Sequence, residues 1–229
     1  MYYDVFFVEP AKSARFDYDS SLYCLYMDLM SKNDFLNMKR IIDIIFSSLL
    51  ILFLAPLMLL VMILIKIDSY GPVLFKQIRV GLNGEIFTFY KFRSMKFDLL
   101  YNDPIVSHDG TLYKPKNDNR VTRIGKILRK TSIDELPQLF NVFLGNMSLI
   151  GPRPLISSMV EPFPYISKIR NIVKPGITGL WQVGSREKNT SVLDMIDLDL
   201  HYIKNCSLSL DFVILLKTLK VVFSCKGAM

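Results

Sequence analysis

Two adjacent carboxylates, Asp134 and Glu135, are the residues of this sequence best suited to chemistry. Cations precede them at positions 129–130, and Gly-Pro-Arg-Pro follows at 151–154 after an apolar run. Carboxylates can hold a metal ion or attack phosphorus, and fixed cations neutralise phosphate oxygens, so the grouping suits phosphate chemistry. Ser132 and Glu135 also have the S-x-x-E spacing of a capping box, which only satisfies backbone N–H groups at a helix start. On this stretch alone, the capping box is the better interpretation.

The remaining composition narrows the kinds of chemistry available. Three scattered cysteines without a C-x-x-C spacing argue for a reducing compartment and against a disulfide framework or a zinc site. Only two histidines, His108 and His201, are present, and neither lies beside a nucleophile motif, which excludes a His-rich metal site and argues against a Ser-His-Asp triad. If the protein is an enzyme, carboxylates, lysines and arginines must do the chemistry.

The net charge of +7 indicates a polyanionic partner or an anionic lipid surface. Positive charge is densest between Lys114 and Lys130, where apolar residues at helical spacing leave the cations on another face. Most faces of this kind are simply solvated. No nucleic-acid-binding module is recognisable, so nucleic acid is not an expected partner.

A membrane helix is predicted in the first third of the chain. Ile44–Ile65 carries no charge and has about the roughly 20 residues needed to cross a bilayer core. Pro56 lies near its middle and predicts a kink, because it removes one helical hydrogen bond. Hydropathy alone favours a spanning helix. The alternative is a helix that enters the bilayer and returns to the same side, which the basic residues Arg40 and Lys66 at its two ends fit slightly better.

A β-hairpin is predicted after this helix. The segments Val73–Val80 and Ile86–Phe92 are rich in β-branched and aromatic residues, and Asn83–Gly84 between them is a strong turn signal. Lys91 and Arg93 lie two residues apart and would share one face, where they could bind a phosphate, orient a carboxylate or form a solvated edge. Further along, positions 208–223 have helical spacing typical of either a core helix or a helix lying on lipid.

Taken in order, these motifs resemble a known family, the bacterial sugar transferases, that is, monotopic polyprenyl-phosphate phosphoglycosyl transferases. The resemblance extends from Lys39 to the C-terminus, and an ordered set of motifs is more specific than any one of them. After the kinked helix the motifs are GPVLFKQIRVG (71–81), YKFRSM (90–95), RVTRIGKILRKTSIDELPQLFNVFLGNMSLIGPRP (120–154), KPGITGLWQV (174–183) and LDLHYI (198–203).

The resemblance implies a reaction, a location and partners. A sugar 1-phosphate would pass from a UDP-sugar to polyprenyl (undecaprenyl) phosphate, with release of UMP, at the cytoplasmic face of the bacterial inner membrane. This step would initiate a surface glycan. The expected partners are the UDP-sugar, polyprenyl phosphate, the lipid bilayer and its anionic phospholipids; a homo-oligomer is compatible with the sequence. A membrane-anchored basic module that binds anionic lipid or polymer without catalysis is the rival hypothesis.

The resemblance also implies roles for individual residues. Asp134 would be the nucleophile that forms a covalent aspartyl intermediate, and Glu135 would hold a metal or handle the lipid phosphate. A helix N-terminus would favour the ionised form of Asp134. Mg²⁺, or Mn²⁺ in its place, would be held by the two carboxylates. The expected phosphate- or substrate-binding residues are Lys91, Arg93, Arg129, Arg153 and, only weakly, Arg186; Arg93 has a second plausible role, which is pairing with an active-site carboxylate.

The expected fold is mixed α+β and mostly helical, with a re-entrant membrane helix, a small antiparallel hairpin and amphipathic surface helices in one compact membrane-associated domain. The expected divisions are an N-terminal extension (1–38), a membrane-embedded kinked helix (39–67) and a catalytic domain (68–229). Ala55 precedes Pro56 where the family often has serine. The bend therefore lacks the support of a serine hydroxyl.

Overall fold

The computed structural model describes residues 14–97, 118–155, 168–184 and 192–224. Helices dominate these segments, as the sequence predicts, and the few strands form two small pairs. The elements in chain order are α1 (Ala14–Ser31), α2 (Asn33–Asp68), β1 (Leu74–Val80), β2 (Ile86–Phe92), α3 (Arg123–Thr131), α4 (Gln138–Leu144), β3 (Ser148–Ile150), β4 (Gly176–Thr178), α5 (Leu180–Gly184), α6 (Val192–Asn205) and α7 (Leu208–Ser224).

The predicted hairpin is present. Strands β1 and β2 pair antiparallel, from Leu74 opposite Phe92 to Val80 opposite Ile86. Their connection has five residues and contains a 3-10 turn, in which Asn83 and Gly84 both adopt positive φ angles of 52° and 85°. Such angles favour Asn and Gly, which explains why these residue types signal the turn. The hairpin sets Lys91 beside the acidic pair, Asp134 and Glu135.

A short parallel pair joins two of the sequence motifs. Ser148 and Ile150 of β3 lie opposite Gly176 and Thr178 of β4. The backbones approach so closely here that a Cβ atom on Gly176 would lie 2.1 Å from the amide nitrogen of Gly151. Glycine is therefore required sterically, and the Gly-Pro-Arg-Pro segment (151–154) is held against the segment around Gly176.

Helix α2 is one continuous 36-residue helix with Pro56 inside it. It begins at Asn33, six residues before the membrane segment predicted from position 39. Among the described residues it is the one helix long and apolar enough to cross a membrane, with a mean hydropathy of 3.0 over an 18-residue window. Leu52 and Phe53, near its middle, are 76% and 81% exposed. On the other side of the helix, Ile51 and Leu57 are partly buried and pack against a hydrophobic cluster, so the described residues leave one side of this central part uncovered.

Both ends of α2 contact the rest of the protein. In its first half, Arg40 donates to the carbonyl of Val142 at 2.7 Å, and Asp43 accepts from the amide of Leu149 at 2.9 Å. In its second half, three buried residues pack in a hydrophobic cluster with the end of β2 and with α3; these are Met58, Val61 and Ile65. Both halves of α2 therefore pack on one body, and the exposed side of the helix faces away from that body.

The segment before α2 also packs on this body. Helix α1 lies against α6, and Leu29 is 2% exposed within a cluster that includes Tyr202 and Ile203. The Lys32 ammonium, between α1 and α2, donates to the carbonyl of Lys204 at 2.9 Å. The predicted N-terminal extension (1–38) thus contains a helix, α1, that is docked on the C-terminal part of the chain.

Helix α7 has both a buried side and an exposed apolar side, whereas its periodicity alone did not distinguish a core helix from a helix lying on lipid. Its inner side joins the core, where Ile214 is fully buried and Leu215 packs beside it. Its outer side is apolar and exposed at Phe212, Leu216 and Leu219. Helix α4 likewise exposes apolar side chains, at Phe140, Phe143 and Leu144. Both helices are therefore partly core and partly apolar surface.

Candidate active site

The acidic pair lies on a 3-10 turn between α3 and α4. Ser132 ends α3 in the left-handed region with φ 58°, the 3-10 turn covers Ile133–Glu135, and α4 begins only at Gln138. The capping-box interpretation is wrong, because the Ser132 side chain makes no capping hydrogen bond and the Glu135 carboxylate points at cations instead. The left-handed residue turns the chain sharply, so both carboxylates leave the helical path and face β2.

Glu135 is immobilised between two predicted phosphate-binding residues. Its Oε1 accepts from the Lys91 ammonium at 2.7 Å and from the Arg153 guanidinium at 3.1 Å. Burial alone would raise the pKa of Glu135, but the charges and hydrogen bonds of Lys91 and Arg153 outweigh burial and hold the pKa well below its usual range. Glu135 is therefore a fixed anion that orients two cations.

Asp134 is buried at 8% exposure but makes no hydrogen bond or ion pair with any described residue. Burial raises its pKa, and the nearby charge of Lys91 opposes the rise. The sequence predicted that a helix N-terminus would favour the ionised form of Asp134 and so lower its pKa. This prediction is wrong, because burial raises the pKa instead. An unpaired carboxylate held near cations in a poorly hydrated site is a reactive nucleophile once ionised.

Arg129 comes to the site from the last turn of α3. Its Nε donates to the Ser94 hydroxyl at 2.9 Å, and burial lowers its pKa while the Asp134 charge opposes that effect. Helix α3 approaches the segment just after β2 so closely that a Cβ atom on Gly125 would lie 2.0 Å from the Ser94 carbonyl oxygen. The position of Arg129 thus follows from a close backbone contact.

Arg93 does not belong to the site. Its guanidinium is 1% exposed and donates to the carbonyls of Tyr70 and, at 2.8 Å, Ser69, just after the end of α2. The predicted roles in phosphate binding and in pairing with an active-site carboxylate are therefore contradicted. Strand alternation suggested a shared face with Lys91, but β2 ends at Phe92, so the alternation does not extend to Arg93.

Two residues that support Arg153 were missed as site residues. Arg170 donates to the backbone carbonyl of Arg153 at 2.7 Å and forms a buried ion pair with Asp199 at 2.6 Å. Asp199 lies in the LDLHYI motif, so the motif was a signal for it. Arg170 has no such local signal, because its pairing joins positions 29 residues apart. The pair fixes the backbone on which Arg153 is carried.

The acidic pair was also predicted to hold a metal. Within the described segments no group of three or more His, Cys, Asp or Glu side chains could form a complete metal site. Mg²⁺, however, is commonly bound by one or two carboxylates together with substrate phosphates and waters. The unpaired Asp134 carboxylate and the adjacent, fully ionised Glu135 fit such a substrate-shared ion. The predicted residue Arg186 lies outside the described residues.

Comparisons with known proteins identify the family. A family model described as "Bacterial sugar transferase" matches residues 34–225, and the chain belongs to this family. This confirms the resemblance inferred from the ordered motifs.

Individual relatives are similar over most of this chain. "Galactosyl transferase CpsE" of Streptococcus agalactiae serotype III is 43% identical over 89% of the chain, and "Undecaprenyl-phosphate galactose phosphotransferase" of Salmonella typhimurium is 42% identical over 83%. The chain spans only 44% and 41% of these two proteins. "Exopolysaccharide production protein ExoY" of Sinorhizobium fredii is 36% identical over 83% of this chain, which covers 87% of that relative.

Proposed function

We propose that the protein transfers a sugar 1-phosphate from a UDP-sugar to polyprenyl phosphate and releases UMP. The observation that carries the proposal is the arrangement around Asp134, a buried carboxylate without a hydrogen-bonded partner among the described residues, beside an ionised Glu135 whose charge is paired with Lys91 and Arg153. Several relatives, including the Salmonella protein, are named as transferases of a sugar phosphate to undecaprenyl phosphate. A purely anion-binding module would need no such unpaired acid.

The proposed mechanism has two displacements at one phosphorus atom. In the first, an Asp134 carboxylate oxygen attacks the β-phosphorus of the UDP-sugar, the bond from that phosphorus to the bridging oxygen breaks, and UMP leaves with the electron pair. In the second, a phosphate oxygen of the lipid attacks the same phosphorus and Asp134 leaves as a carboxylate. The product is a polyprenyl diphosphate sugar. No oxidant or external proton source is required.

The cations stabilise the charge that develops on the phosphate oxygens. Lys91 and Arg153, oriented by Glu135, and Arg129, oriented by Ser94, are fixed before substrate binds, so little reorganisation is needed. Mg²⁺ bound by Asp134 and Glu135 would screen the repulsion between carboxylate and diphosphate. If each cation acts as an oxyanion donor does, Lys91→Ala and Arg153→Ala each cost about 3 kcal/mol of transition-state stabilisation.

The reaction is tested most directly by trapping the intermediate. Wild-type protein given the correct UDP-sugar without lipid should gain one sugar phosphate by intact mass and release one equivalent of UMP. Asp134→Asn should do neither and should lose activity by about 10³-fold or more, since an amide cannot attack phosphorus. Asp34→Asn, a matched change at an exposed position of α2, should behave as wild type. Substantial turnover by Asp134→Asn would refute the assignment of Asp134 as the nucleophile. If none of the UDP-sugars tested leads to UMP release by the wild type, the anion-binding alternative would be favoured.

We also propose that α2 is re-entrant and that the catalytic body lies on the cytoplasmic face of the bacterial inner membrane. A crossing helix would separate the partners of Arg40 and Asp43 from those of Ile65 by a bilayer, yet both sets belong to one packed body. The docking of α1 on α6 places the N-terminal segment with that same body. The exposed apolar side of α2, which includes Leu52 and Phe53, then faces the lipid, and the outer apolar sides of α4 and α7 suit the lipid surface.

The topology is tested by the accessibility of Cys24, which is free and exposed on α1. In a variant with Cys206 and Cys225 replaced by serine, Cys24 should resist a membrane-impermeant thiol reagent in intact cells and react after permeabilisation. Labelling of Cys24 from outside the cell would mean that α2 crosses the membrane.

A further inference from the structure

A partly buried arginine, Arg79, lies beside the proposed phosphate site and forms no ion pair with an anion among the described residues. It belongs to the GPVLFKQIRVG motif, and the reaction described above gives it no role. Its Nη1 donates to the carbonyl of Pro154 at 2.9 Å, and its Nη2 donates to the Gln77 side-chain amide oxygen at 2.6 Å. Its Nε is buried and has no hydrogen-bond partner among the described residues. Within those residues, no carboxylate forms an ion pair with Arg79.

The surroundings of Arg79 are aromatic and positively charged. Its guanidinium carbon lies 5.3 Å from the centre of the Phe89 ring, and the Lys91 ammonium lies 5.5 Å from the same ring centre. Burial, and then the charge of Arg153, lowers the pKa of Arg79 to about 9. The positive charge of Arg79 is thus poorly compensated by the protein. An anion bound nearby would be favoured by that imbalance.

Arg79 also completes the support of the Gly-Pro-Arg-Pro segment. Arg170 holds the carbonyl of Arg153, and Arg79 holds the next carbonyl along the chain, that of Pro154. Arg170 is neutralised by Asp199, whereas Arg79 is not neutralised. Two guanidinium groups, one buried and one partly buried, therefore fix consecutive carbonyls, and the partly buried one, Arg79, adds uncompensated charge close to the site.

We propose that Arg79 is a positioning residue of the phosphate site. It fixes the Pro154 carbonyl so that the Arg153 guanidinium stays on Glu135, and its charge is compensated when a substrate phosphate binds. The inference rests on the proposed function. The phosphate belongs either to the UDP-sugar or to the lipid, since both must reach the same nucleophile in turn.

The test compares two substitutions with a matched control. Arg79→Lys keeps the charge but lacks the planar guanidinium whose two separate nitrogens donate to Pro154 and Gln77, whereas Arg79→Gln removes the charge as well. Lys76→Gln makes the same charge change on the same strand, at a position exposed on the opposite face. Each variant is assayed for UMP release from the UDP-sugar alone and for discharge of the labelled intermediate by polyprenyl phosphate, with rates normalised to the burst amplitude.

If Arg79 is a positioning residue, its two substitutions should affect kcat and KM differently. Arg79→Lys should lower kcat by up to about 10²-fold with KM near that of wild type, the loss expected from a misplaced group. Arg79→Gln should lower kcat similarly and also raise KM about tenfold or more, and Lys76→Gln should do neither. A defect confined to UMP release assigns the donor diphosphate to Arg79, and one confined to discharge assigns the lipid phosphate. Equal kcat losses in both Arg79 variants with unchanged KM would overturn the inference, because a merely structural role gives that pattern.

A binding measurement tests the inference about Arg79 without depending on turnover. The Kd of inorganic pyrophosphate, taken from its stabilisation of the folded protein against heat, should rise about tenfold or more in Arg79→Gln and stay unchanged in Lys76→Gln. Equal pyrophosphate affinity in wild type and Arg79→Gln would overturn the inference even if the protein turns over. Absence of UMP release by the wild type, with the pyrophosphate difference intact, would instead count against the proposed function alone.

Discussion

Variants of the buried ion pair between Arg170 and Asp199 allow its effect on stability and its effect on activity to be measured separately. Asp199→Asn leaves the Arg170 guanidinium, which is 5% exposed, without its counter-charge. Breaking a buried pair by removing one partner costs about 3–5 kcal/mol of unfolding free energy. This cost should appear as a lower denaturant midpoint of the protein in detergent micelles. UMP release should also fall, because Arg170 holds the carbonyl of Arg153.

The double substitution Arg170→Met with Asp199→Leu gives the decisive comparison. Replacing both members of a buried pair by apolar residues of similar volume is often neutral or stabilising, so most of the lost 3–5 kcal/mol should return. The Arg153 carbonyl still loses its donor, and the guanidinium that should contact phosphate is no longer fixed. Activity should therefore remain lowered, by up to about 10²-fold, although stability is restored.

Two results would refute this reasoning. If the double variant is no more stable than Asp199→Asn, the loss in the single variant does not come from an unpaired buried charge. If the double variant is as active as the wild type, Arg170 does not position Arg153 for catalysis. Denaturation and UMP release measured on the same preparations distinguish these results.

Three further predictions concern the acid, the helix contact and the metal. Burial raises the pKa of Asp134, so the folded wild type should lose stability as the pH rises from 3.8, the ordinary pKa, through the raised pKa of the folded state. Denaturation in EDTA should therefore show Asp134→Asn to be more stable than the wild type at pH 7. This difference in stability should disappear below pH 3.8. Gly125→Ala drives a Cβ atom against the Ser94 carbonyl and should cost about 3 kcal/mol or more, whereas Gly184→Ala, with open space around its Cβ, should change stability by less than about 0.5 kcal/mol. UMP release should stop in EDTA and return with Mg²⁺ or Mn²⁺, and undiminished turnover in EDTA would remove the metal from the mechanism.

Local signals in the sequence were sufficient for the hairpin and for the long apolar helix. Asn83 and Gly84 adopt the positive φ angles that their residue types favour, and the strands end within one residue of the predicted positions. These features depend on neighbouring residues, so periodicity and turn chemistry predict them. The assignment of Lys91, Arg129 and Arg153 to one site came from the ordered motifs, and the structure brings all three around the acidic pair.

The errors and omissions involve residues whose partners are distant in sequence. Arg93 looks like a partner of Lys91 along the strand, but its carbonyl partners lie more than twenty residues earlier. The raised pKa of Asp134 depends on burial by the whole fold, which a local helix argument does not include. Arg79 and Arg170 each hold a carbonyl far along the chain, so no spacing rule would select them.

The end of α2 and the proposed phosphate site share one set of contacts. Asp68, the last residue of α2, accepts from the amide of Ile124 at 3.0 Å and so fixes the start of α3, the helix that carries Arg129. Arg93 holds the carbonyls just after α2, and the next residue, Ser94, accepts from Arg129. A shift of α2 in the membrane would therefore move both supports of Arg129 together. If α2 is re-entrant, as proposed above, its depth in the lipid would be coupled to the position of Arg129, and Arg93 would take part in that coupling through its contacts just after α2.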